Sequence, residues 1–204
     1  MRWLFALVVL AAGCGTVLTP VVIREPRPEP LPLTIGVHYP DEVRSFRKVP
    51  VTDARGDSAN AKILVGEASV KLIDDALGLL FARVVSVTTV TPVGSAGDGL
   101  SAVIEPRILA AALEVGRQGV DDTFARGSIT YGFTLYSKTG ERLASWTVSG
   151  AGLASSSTSL RDAADWNTVR RSLELALRDA AWNFTSGFRD VAEVRRWLDE
   201  RGVK

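Results

Sequence analysis

Residues 127–152 read GSITYGFTLYSKTGERLASWTVSGAG, and they restrict the fold more than any other stretch. Ile129, Tyr131, Phe133 and Leu135 alternate with small or polar residues, and Ala144, Trp146 and Val148 do the same after the turn Ser137-Lys138-Thr139-Gly140. Period-two alternation on both sides of a glycine-bearing turn predicts a β-hairpin with one apolar face. Such a face must be buried against another layer.

Two segments have the period of helices. From about 67 to 82, Ile73, Leu77 and Leu80 recur at spacings of three and four, with Val70 and Val84 extending the stripe. After the small polar stretch 152–159, Ser159 and Asp162 have capping-box spacing. A long helix then carries Trp166, Val169, Leu173, Leu177, Ala180 and Phe184 to a stop at Gly187. Asp190 with Glu193 starts a last short helix bearing Val194, Trp197 and Leu198. Strands are expected at 33–39 and 62–65, and from Val84 to Val90, which is rich in β-branched residues. A further strand is expected near 101–105, after a turn at Gly97-Asp98-Gly99, and VRSFRKVPV suits a short strand before a loop, TDARGDSANA. Residues 107–115 fit helix by their alanines and strand by their position, and we read them as a continuing strand. This order predicts an α+β domain: a mostly antiparallel sheet with two main helices packed on one face.

The amino end is of another kind. Arg2 is followed by the apolar run Trp3–Leu10, the small residues Ala11-Ala12-Gly13, and Cys14, the only cysteine in 204 residues. A charged start, an apolar stretch and small residues form the pattern of a secretory signal. Leu10-Ala11-Ala12-Gly13-Cys14 resembles the lipobox of bacterial lipoproteins. That resemblance implies diacylglycerol on the Cys14 thiol, cleavage before it, and acylation of the new amine. It places Ala11 where leucine is commonest. Gly15 after the cysteine, in place of aspartate, resembles cargo of the Gram-negative outer membrane. An uncleaved anchor is the rival, because Trp3–Ile23 carries no charge and is about long enough to span a bilayer. Either puts the rest of the chain outside the cytoplasm. PVVIREPRPEPLP (20–32) holds five of the nine prolines. Alternating proline with charge favours extended polyproline II, so this segment is a spacer or a leader without a core. The expected organisation is a signal peptide at 1–13, an acylated tether at 14–32 and one domain at 33–204.

Chemistry is sparse. The 24 basic and 23 acidic residues balance at +1, with no basic block such as nucleic-acid binding requires. No phosphate-binding glycine motif occurs. His38 is the only histidine, so any Ser-His-acid triad must use it, and it should point opposite to Val37 and Tyr39. With Cys14 acylated, a zinc site would have only His38 and carboxylates. Asp74-Asp75 suit a solvated helix face and Asp121-Asp122 a loop. Trp146, Trp166 and Trp182 suit packing, whereas Trp197, near the end of the chain, is the candidate partner-facing residue. No catalytic residue, cofactor or metal is expected.

Over roughly 34–190 the element order is similar to that of small envelope lipoproteins. These include LptE, which assists lipopolysaccharide assembly, YajG-like proteins, auxiliary lipoproteins of envelope ABC transporters, and CsgG-like and penicillin-binding-protein-activator lipoproteins. The resemblance implies a periplasm-facing, outer-membrane-anchored accessory with an envelope protein or envelope lipid as partner. Two alternatives stand beside it: a cell-wall glycan hydrolase using carboxylates, and a self-assembling pore or ring subunit.

Overall fold

The computed structural model describes residues 29–92, 99–118, 122–156 and 166–203. In chain order these form β1 (Leu31–Val37), α1 (Asp41–Arg44), β2 (Lys48–Thr52), β3 (Ser58–Lys62), α2 (Val65–Leu80), β4 (Phe81–Ser86), β5 (Ala102–Gln118), β6 (Asp122–Tyr136), β7 (Arg142–Ser156), α3 (Trp166–Gly187) and α4 (Ala192–Asp199). A 3-10 turn, Phe188–Asp190, separates α3 from α4.

β5 is the strand on which the sheet is built. One edge pairs antiparallel with β6 from Val103↔Tyr136 to Gln118↔Asp122, with an irregularity between Ile108 and Ala110. The other edge serves two partners. Ala102–Ile104 pair in parallel with Ile35–Val37 of β1, and Leu113–Glu114 pair in parallel with Val51–Thr52 of β2. β1 pairs in parallel with β4, β2 antiparallel with β3, and β6 antiparallel with β7. The seven-stranded sheet is therefore forked and mixed. The α+β class holds, but the expected mostly antiparallel sheet does not. From β1 the chain passes through α1, the β2–β3 pair and α2 before β4 returns parallel to β1.

The long helices do share one face. Leu72, Ile73 and Ala76 of α2 meet Ala180, Ala181 and Phe184 of α3 over Tyr131 and Phe133 of β6. Phe133, Trp146, Phe184 and Phe188 form a connected aromatic group, with Phe133 and Phe184 centroids 4.5 Å apart and Phe81 edge-on to Phe188 at 5.3 Å. The buried Tyr131 hydroxyl lies 2.6 Å from Ser69 Oγ, which itself donates to the Val65 carbonyl at 2.7 Å. Burial raises the Tyr131 pKa, and the Ser69 bond offsets only part of this.

α3 rides very close to β6 and β7. A Cβ on Gly127 would stand 2.9 Å from the Ser172 carbonyl oxygen, and one on Gly152 or Gly150 would collide with the backbone at Ser172 or Ala176. The same approach ties the edge of β7 to the helix. Asn183 Nδ2 donates to the Ser149 carbonyl and the Ala151 N–H donates to Asp179, both at 2.9 Å.

Several boundaries differ from the sequence reading. β1 begins at Leu31, two residues inside the segment assigned to the tether. Part of the expected loop is β3, α2 starts at Val65 where a strand was expected to finish, and β4 begins at Phe81 directly after the helix. β5 runs as strand through 107–115, and β7 continues to Ser156. The Ser159–Asp162 capping box lies outside the described residues.

Two outcomes follow from this packing. Gly152→Val should lower the urea-unfolding free energy by about 3 kcal/mol or more, because a backbone-to-backbone contact cannot take a side chain. Stability should also fall as pH rises above the ordinary tyrosine value of about 10. A group whose folded pKa is raised contributes fully below its unfolded pKa and loses that contribution above it. Urea midpoints measured from pH 8 to 11 should show this alkaline loss, and Tyr131→Phe should make it shallower.

Candidate functional site

Polar side chains gather where β1 ends. The His38 N–H donates to the Ile104 carbonyl at 3.0 Å, which holds the residue after β1 beside β5. Alternation turns its side chain away from the helices, and Glu105 and Arg107 of β5 lie on that same outer face. His38 Nδ1 is 3.0 Å from Glu105 Oε2, while Arg107 Nε and Nη2 donate to Glu105 Oε1 at 3.0 and 2.9 Å. Glu105 is only 6% exposed, and both of its carboxylate oxygens have a hydrogen-bonding partner. The hydrogen bond and charge of Glu105 raise the Arg107 pKa further.

On the helix side of the same end, the Tyr39 hydroxyl donates to Asp74 Oδ1 at 2.7 Å. Burial, then this bond to Asp74, raises its pKa. The Arg44 guanidinium sits 5.3 Å above the Tyr39 ring centroid. Two open hollows flank this region. One, of about 450 Å3, is lined by His38, Asp41, Glu42, Arg44, Ser86 and Thr88. The other, of about 330 Å3, is lined by Glu42, Phe46, Arg107 and Leu109.

Asp41 and Glu42 are successive residues of one turn, not acids facing each other across a cleft. Ser86 is the register partner of Val37, so it lies on the opposite face of the sheet from His38. Among the described residues, no three histidine, cysteine, aspartate or glutamate side chains come together as a metal site would need. The hollow between α2 and α3 measures about 10 Å3, too small for a lipid chain.

The tryptophans change places relative to the sequence reading. Trp197, the candidate for a partner surface, is 2% exposed. α4 turns Val194, Trp197 and Leu198 together into the core, and the Arg201 guanidinium covers the indole at 4.8 Å. Trp182 is 44% and Trp166 53% exposed, on solvent-facing positions of α3, while Trp146 packs with Phe133 and Phe184. Leu109 and Leu153 also stand in solvent on the sheet. Cys14 lies outside the described residues, as do Asp121 and all but the last four residues of the tether. The His38–Glu105 pair was not foreseen, since the two are 67 residues apart and a lone glutamate in a strand carries no pattern.

Replacing Glu105 tests the cluster as a clamp between β1 and β5. Glu105→Ala should cost about 2 kcal/mol in urea unfolding, and Glu105→Gln clearly less, because glutamine keeps hydrogen-bonding groups there.

No family model matches the sequence, and no curated protein matches it. Solved structures do resemble it. A Xanthomonas campestris protein of the DUF330 family superposes with a TM-score of 0.55 at 13% identity, covering 92% of this chain and 99% of the other. A minor lipoprotein of Acinetobacter baumannii gives a TM-score of 0.42 at 12% identity, over 87% and 96% of the two chains. The first likeness shows a shared fold; the second adds nothing to it.

Proposed function

We propose that this chain is a bacterial lipoprotein, held to the periplasmic face of the outer membrane through acylated Cys14, and that its α+β domain is a non-enzymatic binding accessory of an envelope complex. The observation that carries the binding reading is the surface. Large side chains, Trp166, Trp182, Leu109 and Leu153, stand in solvent, and the larger hollows are open and mixed in charge. Tryptophan is among the residues that most often anchor protein interfaces.

The lipobox and tether supply the setting. From Gly15 to Pro28 there are 14 residues, which at roughly 3.1 Å each reach about 40 Å in polyproline II. The chain enters the fold where Arg189 Nη2 donates to the Glu29 carbonyl at 3.3 Å. It then runs along β1, so the hollows beside His38 lie at the end of β1 away from this entry. The hollows and the point of entry thus lie at opposite ends of β1, an arrangement that leaves the hollows accessible to an envelope partner.

Fractionation and co-purification test both halves. Wild type should float with membranes, and Cys14→Ser should lose processing and acylation. Mild-detergent extraction of wild type should recover one envelope protein in constant ratio, reduced at least tenfold by Trp182→Ala or Leu109→Ala. Recovery of this chain alone in several detergents would overturn the accessory role.

A further inference from the structure

Among the described residues, the outer strands β7, β3 and β4 do not present their edges alike. β7 has two of its outward groups, the Ser149 carbonyl and the Ala151 N–H, taken by Asn183 and Asp179 of α3. β3 is five residues long, SANAK, and mostly exposed. β4, FARVVS, pairs with β1 alone, and among the described residues no other strand pairs with it. An edge of β-branched residues with open N–H and C=O groups is a template for another strand.

The direction of those groups follows from one bond. The Val87 N–H donates to the Val37 carbonyl at 2.9 Å, so the odd-numbered residues of β4 turn their backbone groups toward β1. Ala82, Val84 and Ser86 therefore turn theirs outward. Val84 and Val85, one on each face, are both only half-buried. Val84 packs on the main core and Val85 on the outer-face cluster of Val87, Leu100 and Val103.

We propose that β4 pairs antiparallel with β4 of a second copy across a two-fold axis at Val84. The register follows from the outward groups. Val84 faces its own copy, Ala82 faces Ser86, and each of these pairs exchanges backbone hydrogen bonds. The one charged side chain, Arg83, then lies opposite Val85 and not opposite another arginine, which avoids a like-charge pair. Val84 and Val85 complete their burial on both faces. The occupant is a second copy because this strand is complementary to itself in that register, as a two-fold interface requires. The inference goes beyond the binding role proposed above and does not depend on Trp182 or Leu109.

The test uses acylated protein purified in detergent, whose only native cysteine carries lipid. Val84→Cys should form a disulfide-linked dimer under mild oxidation, since facing hydrogen-bonded residues lie about 5.5 Å apart at Cα. Ala82→Cys, whose two copies would be separated by four residues of strand, should link at least tenfold less. Val84→Pro removes one outward N–H without touching the bonds to β1, and should convert a sedimenting dimer to monomer while circular dichroism stays unchanged. A monomeric wild type, no Val84→Cys link, or equal linking at position 82 overturns the proposal. Intact wild-type dimers bridged by disulfide would instead contradict acylation of Cys14, and they persist in Val84→Pro.

Discussion

The contact between α3 and the glycine positions of β6 and β7 is the constraint from which much else follows. Gly127, Gly150 and Gly152 let the helix backbone come down on the strand backbone near Ser172 and Ala176. At that distance the polar side chains Asp179 and Asn183 reach the outer edge of β7 and bond the Ala151 N–H and the Ser149 carbonyl. One packing choice thus buries the apolar hairpin face and caps the middle of the β7 edge, at Ser149 and Ala151, which would otherwise invite another chain. It also leaves α3 with a solvent side on which Trp182 stands exposed.

β5 turns this half-sheet into a whole domain. Its length lets it serve β1 near one end and β2 near the other, while β6 follows it throughout. The fork places the carboxyl end of β1 beside the start of β5, which is why His38 meets Glu105 and Arg107. A buried carboxylate held by a guanidinium and an imidazole is costly to leave half-paired, so the cluster fastens β1 to β5 as well as lining a hollow.

What the sequence disclosed depended on whether burial was one-sided. The hairpin and the helix after Trp166 were legible, because each hides one face and wets the other. The parallel pairings were not. β1 keeps the alternation of Leu33, Ile35 and Val37, but alternation sets the faces of a strand and not its neighbours or their direction. Residues 152–156 looked like a loop since Gly152 and Ala154 are small, but they are small because α3 lies on them. β3 was hidden by its small polar residues. Trp197 was misplaced for another reason: nearness to the carboxyl end suggested exposure, whereas the spacing Val194, Trp197, Leu198 already described one buried face. In the candidate site, His38 pointed as alternation required, and its carboxylate partner left no trace in the sequence.

The functional account joins a covalent anchor at one end of the chain to a contact surface on the fold. Two or three acyl chains bind firmly where one is marginal, so the membrane attachment we propose stands or falls on the chemistry at Cys14. Intact-mass spectrometry of protein extracted from its native membrane tests this most directly. The account predicts a chain beginning at Cys14 and carrying diacylglycerol with an amide-linked acyl group. A chain that retains Met1, or one that bears an unmodified thiol, would contradict it.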